Sequence, residues 1–476
     1  MNYIPVIGLE IHAELLTNSK VYCSCKNTFG GITNERICPV CSAMPGTLPS
    51  LNKAAVTLAV KAGLALDCKI NNYSAFDRKN YFYPDLPKAY QITQFYHPIC
   101  SDGFVEVGNN KIQIERIHIE EDAGKLIHND ISNNTFADFN RCGVPLIEIV
   151  TKPDFKSIDT VLEFVEEIAL RLKYTDVCDA RLEEGSLRVD VNISLMKEDS
   201  DTLGTRAEIK NLNSLKSIKR AIEYEINRQT QILDSGKQVK QETRRFSEKS
   251  GETLTLRTKE ESDDYRYFPE PDLLPIYISD EEIEEIKKSL CELPNKRFSR
   301  LVNEYNLTPA DAKLIIANRD FYDFYDATAK INPSYKTISK LMLSELNRCF
   351  NESNKTVKDL KFTPYDLSEL VKMYDNETVS KQAAKSILRL MFETGENPLQ
   401  TAKKNRFIMK TNTKELECII DKVLSENEKS ISDYNNGNKK AFSYLMGQAM
   451  RILGEGTNPV TLKSILEKKL NNITTF

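Results

Sequence analysis

Four stretches in the first two hundred residues read as β-strands, by alternation of apolar and polar positions or by β-branched content. They are VIGLEIHAEL (6–15), KIQIERIHIEE (111–121), PLIEIV (145–150) and SLRVDVNISL (186–195). Between them the spacing changes to that of a helix. Ile158, Val161, Leu162, Val165, Ile168, Ala169 and Leu172 recur at three- and four-residue steps and form one buried face. A second helix is expected over 214–233. Beyond Ser279 strand-like patterning largely stops. Ser279 and Glu282 fit a capping box that opens the helix EEIEEIKKSL. The polar stretches 351–356 and 432–440 read as loops or linkers. A last helix starts near Lys440, with Ala441, Leu445, Gln448, Ala449 and Ile452 at helical spacing. The expected fold class is α+β, an antiparallel sheet with helices followed by all-α segments. At 476 residues the chain exceeds what one core usually organises. Three domains are expected, over 1–292, 293–405 and 406–476.

The same patterning places chemistry. Side chains alternate across a strand, so Glu10, His12 and Glu14 share one face while Leu9, Ile11 and Ala13 take the other. Two carboxylates and an imidazole in a row suit a hard divalent cation; a solvent-facing polar strand edge would look the same. Alternation also groups His118, Glu120 and Asp122. Glu148, Glu183, Glu184 and Glu208 add carboxylates within strand-like surroundings, where an unpaired charge is costly unless it meets a cation. Arg141, Arg188, Arg206, Arg257 and Arg266 are candidates to hold phosphates bidentately. Ordinary ion pairing among these residues is the competing explanation. Neither G-x-x-x-x-G-K-[ST] nor a kinase Gly-rich loop occurs. If ATP binds, metals and arginines must hold it.

Cys23-x-Cys25 and Cys38-Pro-x-Cys41 are separated by twelve residues. Four thiolates at such spacing make a closed tetrahedral Zn²⁺ shell of the structural kind, with unliganded cysteines as the alternative. The other seven cysteines have no such partners. Two segments, 77–91 and 263–272, interleave aromatic rings with Arg and Lys. They could stack on adenine or on terminal RNA bases, or simply pack as loops.

Composition adds limits. There is no apolar run near the ~18 residues that span a bilayer, and MNYIPVIGLEIHAEL lacks the pattern of a secretory signal. Cytoplasmic residence, with no membrane partner, is the expectation. The net charge of −4 argues against broad wrapping in nucleic acid. However, residues 401–476 carry 13 basic against 8 acidic side chains, +5, leaving −9 for the remainder. A basic tail on an acidic body could bring phosphate contacts to metal chemistry.

Taken in order, several long segments resemble the B-type subunit of the bacterial glutamyl/aspartyl-tRNA amidotransferase family. They are VIGLEIHAEL, FDRKNYFYPDLPKAYQITQ, IHIEEDAGK, DFNRCGVPLIEIVTKPD, EEGSLRVDVNIS, AEIKNLNS, QETRRF, DDYRYFPEPDLLP and KKAFSYLMGQAM. The resemblance spans nearly the whole chain. It implies a glutamine-synthetase-like cradle followed by a helical domain and a tail that reaches toward tRNA. It implies ATP- and Mg²⁺-dependent phosphorylation of the side-chain carboxylate of Glu-tRNA(Gln) or Asp-tRNA(Asn). Ammonia would come from an amidase subunit, with a small third subunit completing a heterotrimer. By the same resemblance, metal and catalytic roles fall on Glu10, His12, Glu120, Glu121, Glu148 and Glu208. Nucleotide contacts fall on Lys79, Arg141, Arg188, Arg206 and Lys210. The four cysteines are not uniform in that family, so Zn²⁺ is read from them alone. The sequence has neither a GGSSGG-type serine segment nor a Cys-His glutaminase pattern, so ammonia must be made elsewhere. The competing functions are a stand-alone ATP-dependent amide ligase and a non-catalytic RNA-binding scaffold.

Overall fold

The computed structural model describes residues 3–129, 133–200, 202–258, 265–409, 413–435, 438–453 and 459–473. The chain forms two compact units, Met1–Pro294 and Asn295–Phe476.

In the first unit, β1 (Tyr3–Glu14) is the central strand. Short strands follow helix α1 (Lys53–Ala65): β2 (Lys69–Ile70), β3 (Tyr73–Ser74), β4 (Asp77–Asn80) and β5 (Tyr90–Thr93). Next come β6 (Cys100–Val107), β7 (Asn110–Glu121), the hairpin β8 (Lys125–Asn129) and β9 (Asn134–Asp138), and β10 (Pro145–Thr151). Helix α2 (Ile158–Tyr174) leads to β11 (Leu187–Lys197) and β12 (Ala207–Leu212), and α3 (Leu215–Asp234) leads to β13 (Glu242–Ser247) and β14 (Glu252–Thr258). β15 (Phe268–Pro269), β16 (Ile276–Tyr277) and α4 (Asp280–Ser289) close the unit.

Nine strands make one sheet in the order β14-β13-β12-β11-β1-β10-β7-β6-β2. The expected antiparallel sheet needs one amendment: β12 and β13 run parallel. Their connection is α3, and a parallel pair requires such a crossover. The sheet has two unlike faces because its strands alternate. On β1, Ile7, Leu9, Ile11 and Ala13 are fully buried. They share one apolar core with Val60 of α1, Phe164 and Ile168 of α2, and Ile218 and Ile222 of α3. Three helices thus cover one face. The opposite face carries Glu10, His12 and Glu14. Ser157 and Ser214 cap α2 and α3 by accepting from Thr160 N and Ser217 N. The expected capping box at Ser279 is present, with Glu282 answering from the third helical position.

Among its described residues the second unit is built from helices, from Pro294–Asn303 to Pro459–Ile473. Near its end Leu416, Ile420, Leu445, Ala449, Leu462 and Leu466 form a separate apolar cluster. Three local expectations are corrected. The helix Asn347–Ser353 takes up the first half of 351–356, and it ends where Asn354 turns left-handed rather than where the sequence becomes polar. The helix Glu428–Asn435 takes up the start of 432–440, while 436–437 lie outside the described residues. In the helix Lys439–Leu453, Leu453 rather than Ile452 completes the buried row Ala441, Leu445, Ala449.

Candidate active site

Register aligns the polar side chains of five strands into one cluster. His12 of β1 sits opposite Glu148 of β10, and Glu148 opposite His118 of β7. On the other side Glu10 faces Asp190 of β11, and Asn192 faces Glu208 of β12. Directly opposed residues point to the same face of a sheet. Two groups of ligand atoms result, His12 with Glu120 and Glu148, and Glu10 with Asp190 and Glu208, each within 4.8 Å of one another.

In the first group His12 Nε2 lies 3.4 Å from Glu148 Oε2 and 4.0 Å from Glu120 Oε2. His118 Nε2 reaches Glu120 at 3.2 Å and Glu148 at 3.3 Å, while its buried Nδ1 has no hydrogen-bond partner. Thr93 Oγ1 and Gln91 Nε2, on β5, donate to the two oxygens of Glu120 at 2.8 and 3.2 Å. In the second group Asn192 Nδ2 donates to Glu10 (2.9 Å) and Thr243 Oγ1 to Glu208 (2.9 Å). Lys210 Nζ bridges Asp190 (2.6 Å) and Glu208 (2.8 Å).

The electrostatics follow from burial. Burial, reinforced by Glu148 and Glu208, raises the Glu10 carboxyl above its ordinary range. For His118 burial opposes the charge, but Glu148 and Glu120 outweigh it and raise the imidazole to about 9. His12 is raised in the same way, burial being overcome chiefly by Glu148. Burial and Glu148 push Glu120 upward, yet Lys79 and His118 win and hold it at about 2. Five carboxyl groups therefore share one face with two imidazoles and two lysines, a crowding of acidic oxygens that a divalent cation can relieve.

At one end of the cluster Asp122 takes Arg188 bidentately, at 2.7 and 3.2 Å. Arg141 lies 3.4 Å from Asp122 and donates to the carbonyls of Ala123 (2.9 Å) and Gly124 (2.8 Å). Glu14 is pushed up to about 7 by burial and by Asp122, with Arg188 and Arg141 opposing.

Of the residues singled out from sequence, Glu10, His12, Glu120, Glu148, Glu208 and Lys210 meet here, and the charge of Lys79 bears on Glu120 and Glu148. Glu121 does not join them. Alternation sends it to the face of Ile117 and Ile119, where Lys88 pairs with it and Ile92 N donates to it. Glu183 and Glu184 sit on an exposed turn, with Glu184 held by Arg181. Arg206 and Arg266 are exposed, and the Arg257 side chain, Asp263 and Asp264 lie outside the described residues. Asp190, Asn192, Gln91 and Thr93 were missed, and His118 was not placed among the site residues. The signal for Asp190 was present in the alternation of LRVDVNIS, which gives Arg188, Asp190 and Asn192 a common face.

The thiol sulfurs of Cys23, Cys25, Cys38 and Cys41 also lie within 4.8 Å of one another. Cys41 accepts from Cys38 N at 3.2 Å and lies 3.5 Å from the buried Lys20 ammonium. Contact with Cys23, then Cys38 N–H and Lys20, hold Cys41 at about 4 against burial. Burial pushes Cys25 up to about 11. One thiolate among crowded thiols, in a closed cluster, has the donor chemistry of a structural Zn²⁺ site. The aromatic segments adjoin the acidic face: Lys79 Nζ is 5.1 Å from the Tyr265 ring, and Phe95 stacks on Tyr267 at 4.0 Å.

Residues 5–284 match the GatB/GatE catalytic domain, and residues 323–470 match the GatB domain. The chain belongs to the GatB/GatE family. The catalytic-domain match contains both acidic groups, the arginines and all four clustered cysteines. The chain is similar to the B-type subunit of the aspartyl/glutamyl-tRNA(Asn/Gln) amidotransferase of Ruminiclostridium cellulolyticum, with 49% identity covering 99% of this chain and 98% of that protein. It is likewise similar to the protein of the same name from Thermoanaerobacter pseudethanolicus, with 47% identity over 99% of this chain and 100% of that protein. A Clostridium acetobutylicum protein of that name is 44% identical over the same shares.

Proposed function

We propose that this chain is the carboxylate-activating subunit of a tRNA-dependent amidotransferase, acting with ATP on Glu-tRNA(Gln), Asp-tRNA(Asn) or both. The observation that carries this reading is the pair of adjoining acidic groups on one sheet face, flanked by Arg141 and Arg188, in a member of the GatB/GatE family. Hard oxygen donors with one imidazole fit Mg²⁺, held by His12, Glu120 and Glu148 and by Glu10, Asp190 and Glu208. Bound there, such cations would neutralise the charge of a transferring phosphoryl group.

The chain's own side chains do the rest. Arg141, Arg188, Lys79 and Lys210 orient the phosphates. The γ-phosphoryl group passes to the free side-chain carboxylate of the esterified amino acid, giving an acyl phosphate and ADP. Ammonia adds to that carbonyl, the surplus proton leaves the nitrogen, and phosphate departs as the amide forms. Glu14, poised near neutrality, is placed to take up that proton.

Ammonia, in this reading, comes from an amidase subunit, with a small third subunit completing a heterotrimer. The basic segment 406–476 serves as a tail domain that contacts tRNA, beyond a helical domain over 293–405. Among the described residues no helix is long and apolar enough to cross a membrane, and we place the reaction in the cytoplasm, where tRNA is used. The cysteine cluster holds Zn²⁺. The test is ATP-dependent amide formation on Glu-tRNA(Gln) by the chain reconstituted with its amidase subunit. Glu10→Gln and His12→Ala are expected to abolish it while glutamine hydrolysis continues; wild-type turnover in both variants would overturn the site.

A further inference from the structure

The cysteine cluster does not touch the acidic groups, yet its loop grips the turn that carries Arg141. Asn34 makes three hydrogen bonds to that turn. Its N donates to Asp138 Oδ1 (3.1 Å), its Nδ2 to the Ala137 carbonyl (3.0 Å), and its Oδ1 accepts from Phe139 N (2.7 Å). Its backbone is left-handed at φ 58°, a conformation asparagine tolerates better than most residues. Asn140 returns the grip, accepting from Arg36 N (2.8 Å) and donating to the Ile32 carbonyl (2.7 Å). Beneath them the buried Lys20 ammonium links Cys41 Sγ (3.5 Å) to the carbonyls of Arg36 (2.9 Å) and Phe139 (3.4 Å).

The turn continues into the site. Arg141 follows Asn140 directly, and Gly143 N donates to the Asp122 carbonyl at 3.0 Å. Asp122 N in turn donates to the Val144 carbonyl (2.9 Å). Asp122 is the carboxylate that takes Arg188 bidentately. Every step from the sulfurs to the two arginines is therefore a hydrogen bond or a covalent neighbour. Without Asn34 and Asn140, the turn would keep its inner contacts and lose its outer anchor.

We infer that Asn34 and Asn140 are positioning residues that fix Arg141 and the Asp122–Arg188 pair against the cysteine centre, so that the centre sets affinity for the nucleotide phosphates. This rests on the reading of Arg141 and Arg188 as phosphate-holding groups. Neither asparagine reaches the acidic groups. Loss of the grip should therefore weaken phosphate binding and leave the chemical step nearly intact, which splits KM from kcat.

The test compares Asn34→Gly, Asn140→Ala, their double variant and Arg141→Ala in the reconstituted complex. Asn34→Gly keeps access to the left-handed backbone and removes only the side chain. Steady-state constants for ATP are read beside zinc content and backbone hydrogen exchange over 139–144. The asparagine variants should keep their zinc, exchange faster over 139–144, and raise KM for ATP about three- to tenfold, the scale of one or two hydrogen bonds, with kcat within about twofold. Chelating the zinc should raise KM similarly and add little to the double variant. A KM that rises in Arg141→Ala but stays at the wild-type value in every asparagine variant overturns the inference and leaves the phosphate reading standing. A KM unchanged in all of them, Arg141→Ala included, overturns that reading and the inference with it.

Discussion

Glu148→Gln probes the acidic face where its charges depend most on one another. The carboxylate lies 3.3 Å from His118 Nε2 and 3.4 Å from His12 Nε2, and it is nearly buried. Removing one member of a buried ion pair costs ~3–5 kcal/mol. Glu120 remains to hold His118, so the low end applies. The proton affinity of His118 gives the same scale. It is held at about 9 against ~6.5 in an unfolded chain, and each tenfold in affinity is worth ~1.4 kcal/mol, so its histidinium contributes about 3 kcal/mol. Because the folded value is raised, that stability is fully present below pH ~6.5 and is lost as pH rises through about 9. Thermal unfolding of the cation-free chain at pH 6.5 should show the first unit's transition lowered by roughly 5–10 °C in the variant. At pH 9 the difference should shrink. The stabilisation by added Mg²⁺ expected of the wild type should largely disappear in the variant. A variant with the wild-type Tm at pH 6.5 and an undiminished Mg²⁺ response would refute the reasoning.

Further expectations follow from the same geometry. Mg²⁺ binding should release protons, because a cation beside Glu120 and Glu148 displaces the charge on His118, which is held at about 9. Calorimetry at pH 7.5 in two buffers of different ionisation heat should report it, with affinity rising toward pH 9; a buffer-independent heat would contradict it. Glu14→Gln should slow amide formation about 10- to 100-fold and remove an acid limb near pH 7, while ATP cleavage in the absence of an amide donor is unaffected; equal loss of both steps would count against a proton-accepting role. The purified chain should carry one equivalent of zinc by mass spectrometry, and Cys38→Ser with Cys41→Ser none. Lys210→Met should tighten Mg²⁺ binding by about tenfold, since Asp190 and Glu208 lose the ammonium they share; weaker binding would instead make Lys210 part of the cation site's scaffold.

The strand-borne half of the site was legible from alternation alone. Period-two patterning put Glu10 and His12 on one face and Ile11 and Ala13 on the other, and the sheet keeps that division. What alternation could not supply was register. Alternation gives Asp190 a common face with Arg188 and Asn192, but its place opposite Glu10 comes from pairing across strands. Alternation groups His118 with Glu120, but its position opposite Glu148 is a property of β7 and β10 together. Glu121 was assigned with Glu120 by the family resemblance, although adjacent strand residues point to opposite faces. The parallel β12–β13 pair has no local signature either; it follows from α3 carrying the chain across. In the helical unit, polarity was a poor guide to loops, since Asn354 ends a helix through its backbone conformation while the polar residues before it remain helical. The four cysteines were readable from spacing, but the hydrogen bonds that tie their loop to Arg141 join residues about a hundred positions apart.

The most direct test of phosphoryl transfer at this face uses misacylated Glu-tRNA(Gln) labelled with ¹⁸O in the side-chain carboxylate, supplied with ATP, glutamine and the reconstituted complex. Activation as an acyl phosphate predicts one ¹⁸O in the inorganic phosphate released per amide formed, with no labelled phosphate when the chain carries Glu10→Gln. Unlabelled phosphate from the wild type, or label released equally by the Glu10→Gln chain, would contradict the assignment of the chemistry to these carboxylates.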